Sequence, residues 1–320
     1  MAERIDVHHH CFTDRYRAAL VQHGYDKVGG IAPPVWDRSI APDQMGGNGI
    51  SSAVLSISAP GVHFGDDAAA RSLARHCNEA SADLTRSAPG RFGFFAVLPM
   101  PDVEGTLEEI RYAFDVLGAD GVVLMSSHLD GSHLGDPRFE PVMAELDRRG
   151  AVAFVHPQVP VSGVAPQVQI PVFAMDFTFD TTRAAFNMVL NGTIERHPGI
   201  RFVLAHAGGT VPYLAWRFSL LWAPGSPAME AAPKGAMHYL RSFWFDTALS
   251  ANPHAMSSLL ELVGPDRILF GSDFPFAPEP ITKVSVRTDA DGYKHPYWSL
   301  KLTWGKLERH GTRYGRRVRI

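Results

Sequence analysis

Cysteine is scarce in this 320-residue chain: Cys11 and Cys77 are the only two. Two thiols cannot build a disulfide framework, so a reducing, cytoplasmic setting is expected. Net charge is also small, −3 with histidine neutral, which argues against a general polyanion binder; no nucleic-acid partner is expected. The chain lacks any run of about 18 apolar residues, so no membrane partner is expected either. The stretch Met1 to His10 has no apolar core of signal-peptide length. Low-complexity segments and short-period repeats are missing too. The mix of 45% hydrophobic and 20% charged residues leaves a globular protein, not a disordered one. Histidine is abundant, with fifteen residues, and their placement is informative.

A brief apolar run, a polar or glycine-rich loop and a helical pattern recur along the chain. The runs Ile5–His10, Ser52–Ala59, Arg91–Pro99, Gly121–Ser126, Val152–His156, Arg201–His206, Phe243–Thr247 and Arg267–Ser272 read as parallel strands buried on both faces. Helical periodicity covers Ala68–Ser87, Val103–Leu117, Phe139–Arg149, Thr181–His197, Thr210–Leu221 and Pro253–Val263, with Gly118 and Gly150 placed as helix stops. Eight such alternations predict a (β/α)8 TIM barrel. Phe12–Gly49, rich in Pro and Gly, reads as an insertion after strand one, over the barrel mouth. The organisation expected is a barrel over residues 1–280 and an atypical basic C-terminal segment over 281–320. That segment carries ten Lys/Arg against three Asp/Glu and reads as a solvated tail.

Side chains in a strand alternate faces, so His8 and His10 should enter the barrel together while His9 points away. His156 ends strand five, His206 ends strand six, and Asp273 follows strand eight. All five groups sit at the carboxyl ends of parallel strands, where barrel sites are built. The spread over strands one, five, six and eight lets them converge. Imidazole nitrogens with one carboxylate suit one divalent ion, Zn²⁺ first and Mn²⁺ or Fe²⁺ next. His8, His10, His156 and Asp273 supply four ligands, and a fifth, labile position takes water. His206, set slightly apart by its Gly208-Gly209 loop, is expected to act as an acid/base beside the ion. Asp246, ending strand seven, is a candidate to orient an imidazole. His63, His128 and His133, with Phe12, Trp36, Phe64 and Phe173, are candidates for the pocket wall.

The segments Ile5-Asp6-Val7-His8-His9-His10, His156-Pro157, Leu204-Ala205-His206-Ala207-Gly208-Gly209 and Gly271-Ser272-Asp273-Phe274-Pro275 resemble the amidohydrolase superfamily. Within it they are similar to the metal-dependent decarboxylase branch typified by aminocarboxymuconate-semialdehyde decarboxylase. Ser56 to Val62, Arg91-Phe92-Gly93, Asp176 to Arg183 and Thr210-Val211-Pro212-Tyr213 resemble the 6-methylsalicylate decarboxylase group of that branch. The likeness covers about residues 1–280. It implies that His8, His10, His156 and Asp273 hold the metal and that His206 stands beside the metal's water. It also implies that Arg217 binds a substrate carboxylate from the neighbouring subunit, and hence a homodimer. A second substrate arginine of some relatives has no match; Ala41 falls near its place, which favours a monocarboxylate. Relatives end in a helix that closes the barrel, a pattern absent from Ile281–Ile320.

The implied reaction is release of CO₂ from a small aromatic or unsaturated carboxylic acid, possibly like 6-methylsalicylate. A divalent ion chelates the carboxylate and a neighbouring hydroxyl, and Asp273 or His206 protonates the ring carbon. The same residues would serve hydrolysis of an amide or lactone through a metal hydroxide. A third reading, a catalytically silent relative retained as a binding subunit, is opposed by the intact set of five.

Overall fold

Eight parallel strands pair in chain order: β1 (Arg4–His10), β2 (Ile50–Ser56), β3 (Phe92–Val97), β4 (Gly121–Met125), β5 (Val152–His156), β6 (Arg201–Leu204), β7 (Trp244–Asp246) and β8 (Ile268–Leu269). The computed structural model describes residues 4–34, 36, 40–159, 170–277, 282, 299–303 and 306–310. The ring closes where β8 meets β1. There Val7 N donates to Phe270 O at 3.0 Å, Asp273 N to His8 O at 2.9 Å and His10 N to Phe274 O at 2.7 Å. The result is the expected (β/α)8 barrel. Every residue of β4 is buried, as a strand covered by helices on one side and barrel core on the other requires.

Helices α1 (Asp14–Gln22) and α2 (Ile40–Gly47) lie within the insertion after β1. The layer around the barrel holds α3 (Asp67–Ser87), α4 (Val103–Tyr112), α5 (Glu140–Arg148), α6 (Asp176–Leu190), α7 (Thr193–Arg196), α8 (Val211–Ser219), α9 (Pro227–Ala231), α10 (Ala236–Leu240) and α11 (Pro253–Leu262). Caps explain several starts: Asp66 accepts from Ala69 N, Asp102 from Gly105 N, and Asn252 from His254 N and Ala255 N. The Asp102 carboxylate also takes the Arg71 Nε at 2.5 Å, tying α3 to α4.

The structure departs from the sequence pattern in several places, including an expected Thr181–His197 helix that is divided into α6 and α7. The helix expected over Val103–Leu117 is α-helical to Tyr112 and then widens into a π turn, Ala113–Leu117, that ends at left-handed Gly118. Strands two, three, six and eight stop short of their apolar runs, because the chain leaves the sheet to form the loops of the mouth. Beyond residue 280, Ser299–Thr303 (β9) and Lys306–His310 (β10) form an antiparallel pair; Thr282 aside, the rest of the basic segment 281–320 lies outside the described residues.

One irregularity in β1 bears on the site. Asp6 stands against Ala53 and His9 against Leu55, so three residues of β1 span two of β2. This bulge puts Asp6 and His9 on the same side, with His9 Nδ1 donating to Asp6 Oδ2 at 3.1 Å.

Candidate metal centre

The strand ends deliver the five expected side chains to one place. His8 and His10 enter together, their Nε2 atoms 3.0 Å apart, and His9 faces away against Phe274, ring centroids 4.6 Å apart. Two overlapping triples of possible ligand atoms lie within 4.8 Å of one another: His8, His10 and His156, and His8, His206 and Asp273. Asp273 Oδ1 is 3.2 Å from His8 Nε2 and 3.3 Å from His10 Nε2. His206 Nε2 lies 3.7 Å from Asp273 Oδ2. His206 therefore stands nearer the ligand group than its glycine loop suggests, sharing a triple with His8 and Asp273.

Local backbone explains how two of these groups reach the centre. His206 and Ala207 are left-handed, with φ of 55° and 56°, and Asp273 has φ 58°. Such conformations in non-glycine residues persist where the surroundings fix them, and they concentrate at functional sites. The glycines after His206 are required by space as well: a Cβ on Gly208 would meet the Phe245 ring at 2.6 Å, and one on Gly209 would meet Thr178 O at 2.1 Å.

The far side of each imidazole sets its tautomer. His156 Nδ1 donates to the Pro157 carbonyl at 2.8 Å, which leaves Nε2 with a free lone pair. His8 Nδ1 donates to Asp246 Oδ2 at 2.7 Å. His10 Nδ1 is 3.1 Å from Ser56 Oγ. For His8 and His10 the Nε2 atoms meet each other and Asp273, and for His156 the Nδ1 bond leaves Nε2 free, the arrangement that metal-binding histidines adopt. Asp246 Oδ1 accepts from His206 N and Ala248 N, both at 2.9 Å, so one carboxylate fixes both His8 and the start of the His206 turn.

The electrostatics follow. Burial pushes His10 down to about 4. Burial and the neighbouring imidazoles hold His156 well below the usual range. For His8 burial acts in the same direction, but the carboxylates of Asp246 and Asp273 outweigh it and raise the group to about 10. Burial opposes ionisation of Asp273, yet the His8 charge and hydrogen bonds from His10, His206 and His8 hold it well below an ordinary carboxyl. His206 Nδ1 is buried without a hydrogen-bond partner among the described residues. Imidazole nitrogens grouped beside an ionised carboxylate fit one divalent cation, which would displace the protons they carry.

Comparison with known proteins agrees with this geometry. The family pattern described as amidohydrolase matches residues 5–291. The chain is 38% identical over 278 residues to a 6-methylsalicylic acid decarboxylase of Penicillium expansum, covering 86% of each. It is 40% identical over 281 residues to a 6-methylsalicylic acid decarboxylase of Aspergillus aculeatus, covering 86% of this chain and 85% of the relative.

The chain belongs to the amidohydrolase family.

Its fold is shared with a 5-carboxyvanillate decarboxylase from Novosphingobium aromaticivorans, solved with manganese and 4-hydroxy-3-methoxy-5-nitrobenzoic acid. The TM-score is 0.79 at 21% identity, with 91% of each chain covered. In this amidohydrolase the remaining expected groups are placed differently. Arg217 is not brought to the cluster; it lies on the exposed face of α8 with Tyr213 and Trp216. Ala41 is buried. His63 and His128 line a small pocket at the ends of β2, β3 and β4 with Val62, Leu98, Met100 and Met125. Burial lowers His128 to about 4. His133 turns to Asp180, Nε2 to Oδ1 3.3 Å, an ion pair that raises the imidazole. Phe12 packs on Phe276, which in turn meets the His10 ring edge-on. Asp6, Ser56, Ser272 and Phe276 also border the cluster or hold its residues. A carboxylate inside an apolar strand was the one available signal, and it marked Asp6.

Proposed function

We propose that this amidohydrolase is a metal-dependent decarboxylase that releases CO₂ from a small aromatic carboxylic acid of the 6-methylsalicylate kind. The observation that carries the lyase reading over hydrolysis is the 38% identity, across 86% of both chains, to a protein named for that reaction. The converging Nε2 atoms support the metal dependence. His8, His10, His156 and Asp273 would hold the ion, with a fifth position left for water or substrate. Three imidazoles and one carboxylate suit Zn²⁺, whereas the neighbour solved with manganese favours Mn²⁺.

When bound, the ion supplies charge neutralisation and a two-point anchor for a carboxylate and an adjacent hydroxyl. The protein's own groups handle the proton. The ring carbon bearing the carboxylate would gain a proton from His206, directly or by way of Asp273, whose own carboxyl is otherwise ionised. The bond to the carboxyl carbon then breaks, its electron pair returns to the ring, and CO₂ leaves as aromaticity is restored. The Asp246 carboxylate, accepting from His206 N, holds the backbone from which that histidine projects, and with His206 Nε2 at 3.7 Å from Asp273 Oδ2 a small approach would let a proton pass between the two.

Arg217 would meet a substrate carboxylate in a neighbouring subunit. Tyr213, Trp216, Leu220 and Leu221 are exposed beside it on and just after α8, which supports an apolar dimer contact there. The barrel over residues 1–280 would carry the chemistry and the segment 281–320 would be a basic appendage. Free, buried Cys11 and Cys77 suit a cytoplasmic setting.

The decisive experiment incubates the protein, loaded with Zn²⁺ or Mn²⁺, with 6-methylsalicylate and a panel of hydroxybenzoates while CO₂ is followed. Release of CO₂ with the matching phenol is expected. Acid formed from lactones or amides without CO₂ would establish the hydrolase instead, and inertness toward both panels would leave a binding subunit.

A further inference from the structure

Asp6 takes no part in the chemistry just described, yet it is a fully buried carboxylate on an apolar strand with both oxygens used twice. Oδ1 accepts from His8 N at 3.1 Å and from Ser272 N at 2.9 Å. Oδ2 accepts from Ser272 Oγ at 2.5 Å and from His9 Nδ1 at 3.1 Å. A carboxylate removed from water needs such a set of donors. These donors come from both sides of the seam between β1 and β8. One is the amide of His8, and two belong to Ser272, the residue before Asp273.

We infer that Asp6 and Ser272 form a clamp that sets the spacing between the β1 imidazoles and the Asp273 carboxylate, and through it the affinity of the centre for a divalent ion. The inference rests on the metal-centre reading above. It gives Asp6 and Ser272 positioning roles, since neither is turned into the cluster.

Three features support it. The clamp lies at the β1 bulge, where the His8 amide is bound by the Asp6 side chain, and a bulge is a common device for re-aiming a strand residue. Asp273 holds a left-handed φ of 58°, which an L residue keeps only when its neighbours fix it. Both neighbours are fixed here: Ser272 is held at N and Oγ by Asp6, and Phe274 N donates to Ser272 Oγ at 3.0 Å. The outcome is the placement of Asp273 Oδ1 at 3.2 Å and 3.3 Å from the two imidazole nitrogens of β1.

The test uses full-length, metal-stripped protein titrated with Co²⁺, read by the visible bands of the bound ion and by its Kd, with thermal unfolding measured without metal. Ser272→Ala removes the hydroxyl, and Asp6→Asn exchanges one acceptor for a donor at nearly constant shape. Both are expected to weaken Co²⁺ binding by about tenfold or more and to shift the bands, since loss of a group that orients a ligand typically costs 10–100-fold. Ser272→Thr, which keeps the hydroxyl, should restore both readouts. The clamp is overturned if both variants bind Co²⁺ within about twofold of the parent with unchanged bands, whether or not their melting midpoints fall. Should Asp6→Asn fail to fold, Ser272→Ala and Ser272→Thr decide alone. Absence of Co²⁺ uptake by the parent protein overturns the metal-centre reading and the clamp with it, whereas uptake insensitive to the substitutions overturns only the clamp.

Discussion

Asp246 Oδ2 accepts a hydrogen bond from His8 Nδ1 at 2.7 Å, with both side chains fully buried. An acceptor at that position forces the proton onto Nδ1 and leaves Nε2 to face the cluster of candidate ligands. In Asp246→Asn the new amide can present a donor to Nδ1 and favour the opposite tautomer, with the proton on Nε2. Metal affinity should fall by roughly 10–100-fold, measured by titrating the stripped variant with Mn²⁺. Retention of the parent's affinity would show that His8 is oriented by something else.

His206 shares a ligand triple with His8 and Asp273 but is proposed as the acid/base. His206→Ala should keep its metal and lose roughly 10²–10⁴-fold in kcat, the range of one positioned acid/base. Elemental analysis alongside the CO₂ assay checks this. A variant that comes off the column without its ion would make His206 a ligand.

The raised His8 imidazole gives a pH dependence to metal uptake. Burial lowers the group, but Asp246 and Asp273 lift it to about 10, so the metal-free site is protonated there at neutral pH. A cation arriving at Nε2 must expel that proton. Affinity for Mn²⁺ should therefore increase with pH, by up to about tenfold per unit below the raised value, with about one proton released per ion. Calorimetry in two buffers of different ionisation enthalpy counts that proton. An affinity flat between pH 6 and pH 8 would contradict the expectation.

The face of α8 offers a fourth check. Trp216 is 74% exposed and Tyr213 82%. Trp216→Glu should turn the proposed dimer into a monomer in sedimentation, and activity should fall with it if Arg217 serves the neighbouring site. Arg217→Ala should raise KM by roughly 10–100-fold, the worth of a charge-assisted contact to a carboxylate, without dissociating the dimer. A parent protein that sediments as a monomer would remove the role given to Arg217.

The barrel was legible because its strands are continuous apolar runs, and β4 and β5 match theirs almost residue for residue. His8 and His10 were legible because they still share a face although the β1 bulge between Asp6 and His9 includes His8. Less visible were the features that depend on contacts far apart in sequence. The partnership of Asp6 with Ser272 spans 266 positions, and that of Asp246 with His8 spans 238. Local pattern carries no register across such gaps. Helices α1 and α2 escaped notice for another reason: their segment is broken by Pro and Gly and shows little apolar periodicity. The glycine loop after His206 gave no measure of its distance from the others, since the left-handed backbone at His206 itself is not written in local pattern.

The seam between the first and last strands of the barrel has a consequence for how the protein matures. On the ligand set proposed above, β1 carries two of the donors and Asp273 follows β8, so a nascent chain that stops short of Asp273 would lack a complete chelate. Full capture of the ion would then wait for the circle to shut. Once captured, the ion would act as a latch across the join, and opening the ring would mean giving up the cation.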